Sequence, residues 1–91
     1  MKVLVIYGGE SSEREVSLKT GQGVYDALRK IGYKSELFDF KRNKILDLID
    51  RITNADVIYI ALHGKDGEDG KIQGLISMLG KPFVGSNESA S

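Results

Sequence analysis

An open parallel α/β sheet of four strands, in the order 2-1-3-4, is the fold this chain predicts, and three observations lead to it. Short β-branched apolar runs alternate with segments whose apolar residues recur at spacings of three and four, the periods of buried strands and of helices packed on a sheet. Glycine or a polar turn closes nearly every segment. The resulting β-α-β-α-β-α-β order requires right-handed crossovers, which leave the strands parallel and put helices on both faces. The 91 residues suffice for one domain with a modest core and leave no room for a second catalytic domain.

Val3 to Tyr7 is continuous, apolar and bounded by Gly8-Gly9, as a strand buried on both faces should be, and it takes the central place. From about Val16 to Ile31 the residues Thr20, Val24, Ala27, Leu28 and Ile31 mark an amphipathic helix that Gly32 ends. Gly21 and Gly23 within it cost roughly 1 kcal/mol each relative to alanine, so they signal either a close helix-to-strand approach or simple tolerance. Tyr33 to Phe40 sets Leu37, Phe38 and Phe40 among polar residues, a more exposed strand nearer an edge. Ile45, Leu48, Ile49 and Ile52 fall at i, i+3, i+4 and i+7 and give a second helix, which exits through Asn54-Ala55-Asp56. Val57 to Leu62 is the third strand. Ile72, Leu75, Ile76 and Leu79 repeat the helical spacing, Gly80 stops it, and Pro82-Phe83-Val84-Gly85 begins the fourth strand.

Thirteen basic and thirteen acidic residues cancel, so net charge gives no reason to expect nucleic acid or an anionic membrane as partner. The absence of cysteine excludes disulfides and thiolate metal sites and fits a reducing compartment. No signal-peptide core precedes a cleavage site, and no run approaches ~20 apolar residues, so the expectation is a soluble, unprocessed, cytoplasmic protein. The polar tail from Gly85 to Ser91 carries no terminating signal, and the chain is expected to stop mid-protein, supplying one wall of a site.

Open parallel sheets bind ligands where strand order reverses, here at the carboxyl ends of the first and third strands. Two loops leave those ends, Gly8 to Ser17 and His63 to Gly74. The first lacks G-x-G-x-x-G and the lysine-bearing phosphate loop. Instead it opens a helix whose N–H groups, beside Ser11, Ser12 and Ser17, attract a carboxylate or phosphate. Ser12 and Glu15 also fit an S-x-x-E capping box. Near a positive dipole end Glu13 and Glu15 stay ionised and able to hold an ammonium group, or simply remain solvated. His63, the chain's only histidine, sits where it can act as acid, base or charge-bearing donor, or merely close a strand end. His63 with Asp66, Glu68 and Asp69 matches no metal-ligand spacing, so no metal is expected on this segment. Asp69 is placed as the cap of the third helix, and Gly64, Gly67 and Gly70 serve the turn.

Taken together, G-G-E-S-S-E-R-E-V-S at 8–17, L-H-G-K-D-G-E-D-G-K-I-Q-G at 62–74 and P-F-V-G-S at 82–86 closely resemble the amino-terminal domain of D-alanine–D-alanine ligases, members of the ATP-grasp superfamily. The resemblance spans essentially residues 1–91, with three separated motifs in order. It implies a bacterial cytoplasmic enzyme that joins two D-alanines for peptidoglycan precursors, using ATP and Mg2+. By this resemblance ATP phosphorylates the carboxylate of one D-alanine, the amine of the second attacks the acylphosphate, and phosphate leaves. Glu13 matches the glutamate that binds the ammonium of the first D-alanine. Val16 matches a residue lining that pocket, and Ser17 lies beside it. His63 matches the histidine set against the first substrate's carboxylate and the forming acylphosphate.

The resemblance also implies that the ATP-binding lysines, the Mg2+ carboxylates and the arginine that stabilises the intermediate come from later domains, so these 91 residues alone are expected to be catalytically inert. It implies a homodimer. Ile76-Ser77 departs from the leucine-glutamate pair usual in the family. Three further readings stay open: a ligase using D-lactate or D-serine as second substrate, a non-catalytic binding or assembly module, and a flavodoxin-like nucleotide binder.

Overall fold

The computed structural model describes residues 1–9, 12–62 and 71–85. These run as β1 (Lys2–Gly8), α1 (Arg14–Lys30), β2 (Lys34–Phe40), a 3-10 turn (Arg42–Lys44), α2 (Ile45–Thr53), β3 (Val57–Ile60), α3 (Lys71–Met78) and β4 (Phe83–Gly85). The strands form one sheet in the order β2-β1-β3-β4. All three pairings are parallel, with Val5 opposite both Leu37 and Tyr59, and Ile58 opposite Phe83. Both the strand order and the parallel sense agree with the expectation from the alternation of elements.

Side chains alternate across a strand, and the sheet sorts them into two apolar layers. On one face Leu4, Ile6, Phe38, Phe40, Ile58 and Ile60 meet Leu48 and Ile52 of α2 and Ile72 and Ile76 of α3. On the other, Val3, Val5, Tyr7, Leu37 and Tyr59 lie under Val24 and Leu28 of α1. Right-handed crossovers require this split, because the move from β1 to β2 runs opposite to the moves from β2 to β3 and from β3 to β4. The edge strand β2 carries Glu36 on the first face, where Lys2 and Arg51 pair with it.

The helix ends follow the glycine signals. Gly32, at φ +97°, donates to Arg29 O while Tyr33 N donates to Leu28 O, a Schellman closure of α1. Gly80 and Lys81 close α3 in the same way on Ser77 and Ile76. The starts are less well forecast. α1 begins at Arg14 rather than near Val16, and β3 ends at Ile60, with Ala61 and Leu62 buried just beyond.

The buried stripe of α1 also differs from expectation. It runs Ser17, Gly21, Val24 and Leu28, whereas Ala27 is exposed and Ile31, past the last helical residue, is 68% exposed. Small residues lead because the helix lies closest to the sheet at its amino end. A Cβ on Gly21 would sit 2.4 Å from the Cβ of Tyr7, while one on Gly23 would meet nothing within 4 Å. Close approach thus explains Gly21, and tolerance explains Gly23. The Ile76-Ser77 departure divides likewise, since Ile76 is fully buried and Ser77 is exposed.

Gly21→Ala should therefore lower unfolding free energy by about 1–3 kcal/mol through overpacking. Gly23→Ala should raise it by roughly 0.5–1 kcal/mol through helix propensity. Urea denaturation of the two variants measures both, and equal midpoints would show that the helix does not press on Tyr7.

Candidate functional site

The carboxyl ends of β1 and β3 lie side by side. Ile6 is opposite Ile60, and Ala61 N donates to Ile6 O at 2.8 Å, so the two chain segments stay paired to the strand ends. A single buried hydroxyl joins these ends to α1. Ser17 Oγ accepts from Gly8 N at 2.9 Å and donates to Ala61 O at 2.6 Å, with the side chain fully buried. That burial encloses the hydroxyl expected beside a substrate and gives it to the backbone. Ser17 ties the ends of the two strands to the helix.

A second tie comes from β2. Asp39 stands opposite Tyr7 in the register, and alternation points it to the α1 face. Arg14, the first residue of α1, meets it with both guanidinium ends, Nη1 to Oδ1 at 2.8 Å and Nη2 to Oδ2 at 2.7 Å. Arg14 Nη1 also donates to Gly9 O at 2.9 Å. The pair sits directly on Gly8, where a Cβ would lie 2.2 Å from Asp39 Oδ1, and Gly8 and Gly9 both turn with φ above +80°. Only glycine combines that turn with that space.

The bidentate hydrogen bond from Arg14 holds the Asp39 carboxyl below its ordinary value; partial burial opposes this, and the Arg14, Lys41 and Lys44 charges add to the lowering. The same contact raises Arg14 above its own. A depressed carboxylate stabilises the fold above its unfolded pKa, and that contribution is lost as pH falls through the folded one.

Glu13 is the residue before α1, exposed at the mouth of the edge, with its carbonyl accepting from Ser17 N at 3.0 Å. The N-cap is Glu13 rather than Ser12, and no side-chain hydrogen bond caps it, so the Ser12–Glu15 capping box is not formed. With Glu13 as the N-cap the helix begins one residue too late for that box, which puts Glu15 at the second helical position instead of the third. Val16 is 48% exposed in the first turn, an apolar side chain open to solvent. His63, Asp69, the loop glycines 64, 67 and 70, and the polar tail 86–91 lie outside the described residues. Among the described residues no group of three or more His, Cys, Asp or Glu is placed to hold a metal ion. No helix among them is long and apolar enough to cross a membrane.

Arg14 and Asp39 were not singled out from the sequence. Two signals were available: Arg14 is the lone cation in an acidic loop, and Asp39 interrupts Phe38 and Phe40 at a strand end.

A family model described as D-ala D-ala ligase N-terminus matches residues 39–86. The chain belongs to this ligase family. Over its whole length it is 44% identical to the D-alanine–D-alanine ligase of Halalkalibacterium halodurans, of which it spans 29%. A D-alanine–D-alanine ligase of Bacillus anthracis superposes with TM-score 0.81 and 41% identity over 96% of this chain and 28% of that one. The same ligase has been solved in complex with ATP. A D-Ala:D-Ser ligase of Enterococcus faecalis superposes with TM-score 0.69 and 25% identity over 91% of this chain and 35% of that one. The chain thus has the fold of a ligase amino-terminal domain and spans less than a third of the curated ligases it matches.

Two outcomes check the site's construction. Ser17→Ala strips a partner from two buried backbone groups and should cost about 1–3 kcal/mol in urea denaturation. Asp39→Asn should destabilise fully at pH 7, and the gap from wild type should close as pH falls below about 4. A gap that stays constant into acid would mean that the carboxylate charge is not what holds Arg14.

Proposed function

We propose that this chain is the amino-terminal, substrate-binding domain of an ATP-dependent ligase that joins two D-alanines into D-alanyl-D-alanine for peptidoglycan precursors. Similarity to such ligases along the whole chain carries the reading. In the proposed reaction the first D-alanine's carboxylate takes the terminal phosphoryl group of ATP and becomes an acylphosphate. The second D-alanine's amine attacks that carbonyl, and the tetrahedral intermediate expels phosphate.

The residues at the sheet edge suit the first half of that chemistry. Glu13, anionic and exposed at the start of α1, holds the ammonium of the first D-alanine. Val16, one turn in, offers apolar surface to the methyl side of the pocket. Ser17 keeps both in place from below. His63, one residue after buried Leu62, bears on the carboxylate and on the charge that develops at the acylphosphate, where a protonated imidazole offsets it. ATP and Mg2+ are assigned to ATP-grasp domains of the same protein, since this chain spans only 29% of the Halalkalibacterium halodurans ligase. The whole enzyme is read as cytoplasmic and homodimeric. D-alanine is taken as the acceptor because relatives 44% and 50% identical over the whole chain are D-alanine–D-alanine ligases.

In the complete protein, ATP and D-alanine together should release phosphate, and the isolated 91 residues should release none. Glu13→Gln should lower kcat/KM for the first D-alanine by roughly 10- to 100-fold, the scale of one hydrogen bond to a charged group. His63→Gln should act mainly on kcat, by about 100-fold or more. Absence of D-alanine-dependent phosphate release from the complete protein would end the reading.

A further inference from the structure

The helix that presents Glu13 has no side-chain cap at its start. Two other contacts hold its first turn. Ser17 pins it from below to the ends of β1 and β3, and Arg14 pins it from the front to β2 and to the Gly9 carbonyl. Both oxygens of Asp39 face both terminal nitrogens of Arg14, a planar fork that sets direction as well as distance. The pair is about one-third exposed on each side, so its worth as a stabilising contact is small, while its geometry is well defined. The pair fills the space that a side chain on Gly8 would take, where a Cβ would overlap both partners.

We propose that Arg14 is a positioning residue for the first substrate: clamped between Asp39 and the Gly9 carbonyl, it fixes the turn from which the adjacent Glu13 reaches the D-alanine ammonium. This deepens the ligase reading above and rests on it. Arg14 itself touches no reacting atom. Both of its terminal nitrogens are engaged by β2, and one of them also by the loop backbone, so what it controls is where residue 13 stands. A displacement of about 1 Å in a positioning group is enough to cost a large factor in turnover.

The test compares Arg14→Ala, Arg14→Lys and Asp39→Asn in the complete ligase. Arg14→Ala should raise KM for the first D-alanine about tenfold while leaving KM for ATP unchanged. Arg14→Lys should keep most of that defect, since an ammonium keeps the charge but not the two-pronged contact. Asp39→Asn should show a smaller shift in the same constant. Hydrogen exchange should quicken in the peptide covering residues 9–17 in all three, with β3 still protected. A fall in thermal stability with the first D-alanine KM unchanged would reduce Arg14 to a structural contact and overturn the proposal. If Arg14→Ala does not fold, Asp39→Asn decides by the same constant. If wild-type enzyme turns over no D-alanine, the ligase reading fails on its own. The exchange result then decides whether Arg14 clamps the turn, and unaltered exchange overturns that too.

Discussion

One buried hydroxyl ties the carboxyl ends of β1 and β3 to α1. Parallel strands share hydrogen bonds along their length, but at their carboxyl ends the ladder stops and backbone groups need other partners. Ser17 supplies them, accepting from Gly8 and donating to Ala61 in the same side chain. Because Ser17 belongs to α1, the bond pair also sets the helix against the sheet, one turn before Gly21 meets Tyr7 without an intervening Cβ. Serine is small enough for that contact and polar enough to satisfy it. A larger side chain would lift the helix, and an apolar one would leave two buried groups unpaired.

From that point the edge is assembled by contributions from three strands. β1 leads into the double-glycine turn, the end of β3 into the Ala61 carbonyl that receives Ser17, and β2 supplies the carboxylate that receives Arg14. Each contribution is individually modest. The Arg14–Asp39 pair is partly solvated, the Ser17 bonds are two among many, and Gly8 contributes by lacking a side chain. Their effect is geometric: residue 13 has a defined place at the start of α1 although no side chain caps its helix. The same layering leaves the opposite face, with α2 and α3 over Leu4, Ile6 and Ile58, to supply most of the buried apolar volume. The α2 and α3 face thus holds the larger apolar cluster, and the α1 face holds the contacts that set the first turn of that helix.

Local chemistry made much of this legible in the sequence. Val3 to Tyr7 is apolar on both faces because it is central, and the i, i+3, i+4, i+7 spacing of Ile45 to Ile52 matches a helix with one buried side. Gly32 and Gly80 ended helices where a left-handed residue was needed. Connectivity and handedness then leave few arrangements for four alternating strands, so even the order β2-β1-β3-β4 followed. The motifs that named the ligase family were equally local.

What escaped was whatever depended on residues far apart in the chain. Ser17 to Ala61 spans 44 positions and Arg14 to Asp39 spans 25. No periodicity or motif encodes such pairs, since either partner alone looks like an ordinary polar residue on a helix or strand. The buried stripe of α1 was misread for the same reason, because apolar spacing favoured Ala27 and Ile31, while the approach of Tyr7 selected Ser17 and Gly21. By itself the sequence determined the elements, their order and the family, through propensities and short-range patterns that act within one segment. Only the tertiary structure decided which face of α1 is buried and what braces the turn before it, because those outcomes arise from close packing and hydrogen-bond satisfaction between segments that meet only on folding.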